Sequence, residues 1–163
     1  MEAEVLYPHW VEETFFGKLY VDIREQQMPV SILETKREVF YGLDEYSPPP
    51  TVSKFYLAVS SKPAFTCLFR IDKSQRERLR YRLLKPTANE HCALDAKGNI
   101  IISDQHPRSF ELEVLSATTD TVRGSLFCDN RPIGLAKLAH DNGPAHVLQQ
   151  GAHEVCEFVI ERC

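Results

Sequence analysis

No apolar run in this 163-residue chain approaches the roughly 20 residues that a membrane-spanning helix requires, so no transmembrane helix is expected. Glycine is sparse, at seven residues, and is nowhere gathered into a phosphate-cradling loop. The GxGxxG, HExxH and GxSxG patterns are all missing, so none of the catalytic classes that a short motif can reveal is indicated. No CxxC pair occurs. The five cysteines, Cys67, Cys92, Cys128, Cys156 and Cys163, are too few for a disulfide-rich scaffold and odd in number, which suits a reducing compartment. The stretch MEAEVLYPHW has neither the basic start nor the continuous apolar core of a secretory signal, so cytoplasm or nucleus is the expected location. There is no internal repeat and no low-complexity tract.

What is present fits a globular domain. Apolar residues make up 43% of the chain and charged residues 26%, enough apolar surface to build a core and too little net charge for disorder. Ten prolines spread along the chain argue against a coiled coil or a long-helix bundle. The net charge of −4 conceals an uneven distribution. Residues 1–50 carry 10 acidic and 4 basic side chains, residues 51–100 carry 4 and 10, and residues 101–163 carry 9 and 5. The thirds are therefore −6, +6 and −4, and a positive middle segment can steer an acidic partner or pair with acidic segments of its own chain or of a second copy.

Alternation and turn residues predict strands over most of the length. Thr14 to Ile23 reads as an aromatic-rich strand, preceded by a short helical turn from His9 to Glu13 that Pro8 opens. REQQMP reads as a loop, and Val30 to Leu43 as two short strands or one bent one. The segment 44–50, DEYSPPP, is a proline-rich connector. Val52 to Ser60 and Ala64 to Ile71 read as adjacent antiparallel strands joined by a tight turn. KPTANEHCALDAKGN reads as a loop before the strand NIIIS. Phe110, Leu112 and Val114 alternate with Glu111 and Glu113, opening an expected three-strand meander to Ala139. A short helix at Ala145 to Gln150 and a final strand at Glu154 to Glu161 complete the reading. The expectation is a mainly beta fold: residues 1–163 as a single-domain antiparallel barrel or sandwich with one or two short helices.

The sharpest chemical pattern is the alternating series Arg76, Arg78, Arg80 and Arg82. On a strand all four point to one side, about 6.6 Å apart, while Leu79, Tyr81 and Leu83 pack inward. On a helix the patch divides between two faces. Arg76, Arg78, Arg80, Arg82 and Tyr81 are the candidate contact residues for a partner protein, an acidic one in particular. Tyr81 alone is thin support for base stacking, so nucleic acid is disfavoured. A homodimer is compatible with the charge pattern.

His140, His146, His153 and Cys156 carry metal-ligating atoms, but Gly151 interrupts any shared helix, and no metal or cofactor is expected. Cys92 near His91 or His106, and Asp104 near His106, are nominal nucleophile and base pairs. His91 and Cys92 are adjacent, and on a strand they would point to opposite faces. The crowded pairs Phe15-Phe16, Phe40-Tyr41 and Phe55-Tyr56 cannot all be buried on one face, which predicts some aromatic surface. The expected function is a noncatalytic protein-interaction or regulatory domain. The alternatives are a small enzyme or ligand-binding barrel, and then a nucleic-acid-binding module.

Overall fold

The computed structural model describes residues 7–38, 50–72, 79–87, 89–140 and 143–163. A short 3₁₀ turn, His9–Glu12, leads into thirteen strands: β1 (Phe15–Ile23), β2 (Gln26–Glu38), β3 (Thr51–Val59), β4 (Thr66–Ile71), β5 (Leu79–Lys85), β6 (Glu90–Leu94), β7 (Ile100–Ser103), β8 (Ser109–Ala117), β9 (Thr121–Cys128), β10 (Arg131–Leu138), β11 (Ala145–Gln150), β12 (Glu154–Val155) and β13 (Glu157–Arg162). Among the described residues no helix is long and apolar enough to cross a membrane.

All the pairings are antiparallel, and they close. From β1 the ladder runs through β4, β5, β6, β7, β3, β11, β10, β9 and β13 and back to β1, a barrel of 10 strands. Strand β2 also bridges β1 to β3, β8 bridges β5 to β9, and β12 adds to β10. Closure removes most of the exposed edge that an open sheet would offer to other chains. The expected mainly beta barrel is thus the fold.

Alternation places the core. Leu19 and Val21 of β1, Phe69 of β4, Tyr81 and Leu83 of β5 and Phe110 of β8 are buried, while their chain neighbours are more exposed; in β13 Phe158, Val159 and Ile160 are all buried. Trp10, Phe15, Phe69 and Tyr81 form an aromatic cluster: Phe15 stacks on Phe69 at 4.8 Å, and Trp10 and Tyr81 meet Phe15 edge-on at 4.8 and 5.7 Å. The 3₁₀ turn is pinned over this cluster by two hydrogen bonds. Trp10 Nε1 donates to the Thr119 carbonyl at 2.7 Å, and the Tyr81 hydroxyl donates to the Val11 carbonyl. Both indole and phenol thus have partners for their polar ends, without which burial would cost about 1–3 kcal/mol each.

Backbone conformation explains two connections. Arg24 and Glu25 both have positive φ, as do Asp129 and Asn130, so the β1–β2 and β9–β10 hairpins each turn on two left-handed residues. Asp and Asn tolerate that region; Arg and Glu do so less readily, and the first turn, within the expected loop REQQMP, lacks the Gly, Asn or Asp usual there. Gly124 is needed because a Cβ there would collide with the Glu113 carbonyl oxygen, beside the bulge between Val114 and Ser116 that turns Leu115 outward.

Several expected elements differ. Ala145–Gln150 is a strand, not a helix, because it lies between β10 and β3 and buries both Val147 and Leu148, one on each face. Glu90–Leu94 is a strand rather than a loop, paired along β7 with Cys92 and Ala93 buried. REQQMP is a two-residue turn followed by strand. Strands β3 and β4 are not partners: β3 lies between β2, β11 and β7, and β4 crosses to β1 and β5. The meander holds for β8 and β9, but β10 pairs with β9 only at Arg131 and Pro132 before leaving for β11. Residues 44–49 of the proline-rich connector, and Phe40 and Tyr41, lie outside the described residues.

Candidate functional site: the outer face of β4 and β5

Strand β5 decides the geometry of the arginine series. Arg80 and Arg82 project outward, while Tyr81 and Leu83 are buried. Arg76 and Arg78 lie outside the described residues. Tyr81, expected as a contact residue, is a core side chain instead. It is fully buried, its hydroxyl is held by Val11, and burial pushes its pKa well above the usual range, so it offers nothing to a partner.

Register brings in an arginine that the sequence pattern does not single out. Arg70 of β4 stands directly opposite Arg82 of β5, and both are exposed. In an antiparallel pair, directly opposed Cβ atoms are about 5 Å apart, so two like charges share one spot on the surface. Among the described residues neither guanidinium has an ion-pair or hydrogen-bond partner. Arg80, by contrast, is answered from the next strand: its Nε lies 3.4 Å from Oε1 of Glu111, directly across on β8.

Two residues along the same face, Leu68 stands opposite Leu84 and also opposite Phe16 of β1. The three form an apolar row beside the arginine pair, and Phe16 is 48% exposed while its neighbour Phe15 is buried. This is the division that the adjacent-aromatic argument requires.

On the other side of Arg82 lies Ser109 of β8, at the edge of a surface cleft of about 480 Å³. Arg80, Glu111 and Phe127 line it from the strands, and Pro107, Arg108, Asp129 and Asn130 from the adjoining loops. Arg108 pairs with Asp129, and Ser109 Oγ donates to Asp72 Oδ2 at 3.1 Å. The cleft lining therefore holds two guanidiniums and two carboxylates, while Arg70 and Arg82, without an ion-pair partner among the described residues, sit just outside it.

The other candidates are not gathered. Cys92 points into the core, where burial pushes its thiol up to about 12, while His91 faces away on the same strand. The His91 Nε2 atom is buried without a hydrogen-bond partner among the described residues. His106 is an exposed, positive-φ residue between β7 and β8, apart from the buried Cys92. His146 and His153 are exposed, whereas Cys156 is buried and its thiol is raised to about 11 by burial. Among the described residues no three His, Cys, Asp or Glu side chains are grouped to hold a metal ion.

Sequence reasoning missed Arg70, Leu68 and Leu84. The only local signal is alternation within β4, where Cys67 and Phe69 point inward and Arg70 therefore outward. Comparison with protein-family models, with curated proteins and with solved structures finds no match to this chain.

Proposed function

We propose that this barrel is a noncatalytic interaction domain that binds an acidic segment of a partner protein on the outer face of β4 and β5. The observation that carries the reading is Arg70 opposite Arg82, two exposed guanidiniums without a counter-charge among the described residues. A like-charge pair directly across a ladder is unfavourable, and a ligand anion would relieve that repulsion as it binds. The apolar row of Phe16, Leu68 and Leu84 supplies contact area that charge alone lacks. The proposed contact set is therefore Arg70 and Arg82 with that row, continued by Arg80 at the cleft.

The reading is tested by fluorescence anisotropy with a labelled peptide of alternating Glu and Leu. Binding should weaken at least tenfold when Arg70→Glu and Arg82→Glu are combined, and should weaken steadily with added salt. Binding unchanged by the double reversal would remove the proposal.

The cleft favours a second reading, a site for a small polar ligand, because its volume lies within the range of small-molecule sites. Ligand-induced protection of Phe127 and Arg108 from solvent, with no effect of the Arg70 and Arg82 substitutions, would support that reading over the first.

A further inference from the structure

The proposal of an acidic partner leaves open which anion Arg70 and Arg82 accept, and the register narrows it. Each guanidinium is a planar fork of N–H donors suited to two acceptor oxygens at once. A carboxylate brings one charge and two oxygens, enough for one fork. It would leave the second arginine of the opposed pair uncompensated at a Cβ separation of about 5 Å. Among the described residues, neighbouring carboxylates do not make up the difference: Glu111 is engaged by Arg80, Asp129 by Arg108, and Asp72 accepts from the Ser109 hydroxyl. A phosphoryl group carries about −1.5 to −2 charges and three acceptor oxygens, so one group can satisfy both forks.

The surroundings fit an extended chain that carries such a group. Leu68 and Leu84 lie two residues from Arg70 and Arg82 on the same face, about 7 Å away, which is the spacing of alternate side chains along an extended peptide. A chain anchored by its phosphoryl group at the arginines would set an apolar side chain onto Leu68, Leu84 and Phe16. Among the described residues, Phe16 is the one exposed aromatic ring near the pair, and a single ring gives successive nucleic-acid bases no stacking platform.

We infer that the Arg70–Arg82 pair is a receptor for a phosphorylated side chain in an extended segment of a partner protein. The inference rests on the acidic-partner reading and sharpens it. Labelled peptide pools with degenerate flanks and a fixed central phosphoserine, phosphotyrosine, glutamate or serine distinguish the two. At least one phosphorylated pool should bind about tenfold more tightly than the glutamate pool. Arg70→Lys and Arg82→Lys, which keep the charge and lose the fork, should each erase that advantage while binding to the glutamate pool persists.

Equal binding of phosphorylated and glutamate pools would overturn the phosphoryl inference and leave the acidic-partner reading standing. Binding of no acidic or phosphorylated pool would overturn both. Full displacement of the peptides by inorganic phosphate at its own binding concentration, with no contribution from the flanks, would overturn the partner in favour of a free anion. Tighter binding of a twelve-nucleotide oligothymidylate than of any peptide pool, about tenfold or more, would replace the protein partner by nucleic acid.

Discussion

Arg70 and Arg82 face each other across the β4–β5 ladder with no carboxylate from the described residues between them. The fold tolerates a repulsion there that a single acidic substitution would convert to attraction. Arg82→Glu should therefore raise the thermal midpoint, by a stabilisation of about 0.5–1 kcal/mol, while abolishing anion binding. Calorimetry and anisotropy on the same variant check both halves. A variant that lost binding and stability together would show that Arg82 serves the fold rather than a ligand.

Asp22 of β1 and Glu157 of β13 are also directly opposed, but here Arg123 of β9 bridges them, with Nη1 2.5 Å from Asp22 Oδ2 and 3.0 Å from Glu157 Oε1. Removing the cation in Arg123→Ala leaves two carboxylates face to face. The pair is part-exposed and screened, so the expected loss is about 1 kcal/mol in urea unfolding. Adding Asp22→Asn to that variant should recover part of the loss, a coupling that a double-mutant cycle reads directly.

The Asp95 turn predicts an acid-sensitive component of stability. Burial pushes the Asp95 carboxyl up, but hydrogen bonds from Lys54, Asn99 and Lys97 outweigh it and hold the pKa below its ordinary value of 3.8. Because the folded-state value is depressed, this contribution is complete above the ordinary value and is lost as pH falls through the folded one. Asp95→Asn should cost about 1–3 kcal/mol at pH 7 and progressively less below about pH 4, measured by denaturant midpoints across that range.

The Tyr81 hydroxyl and the Val11 carbonyl tie the 3₁₀ turn to β5. Tyr81→Phe should cost about 1–3 kcal/mol, since it strands a buried acceptor without opening a cavity. Its effect on peptide binding should be negligible, because the residue belongs to the core. A loss of binding at constant stability would return Tyr81 to the contact surface.

Thiol accessibility separates the cysteines. Cys67, Cys92, Cys128 and Cys156 are buried and Cys163 is exposed. Native protein treated with iodoacetamide at neutral pH should gain one adduct by mass spectrometry, and none in Cys163→Ser. The other four should react only on unfolding, because burial raises their thiol pKa values and blocks access.

The sequence by itself determined most of the strands and the class of fold. Period-two alternation, as in Phe110 to Val114, states which side chains go inward wherever one face is wet, and a closed antiparallel barrel keeps that asymmetry on most of its strands. It failed where both faces are covered, as in β11, because a strand that buries side chains on either side, here Val147 and Leu148, has no polar alternation to read. It also overran the turn at Arg24-Glu25, extending the loop through Gln26 to Pro29, because only the tertiary pairing of β2 with β1 makes those residues strand. The outward direction of Arg80 and Arg82 was legible once β5 was taken as a strand. Their neighbours were not. Whether an arginine meets Glu111 or another arginine depends on which strands adjoin and in what register, and those long-range pairings belong to the closure of the barrel rather than to any local pattern. Tertiary structure alone left Arg70 and Arg82 opposed beside an apolar row, a local concentration of positive charge on a chain whose net charge is −4.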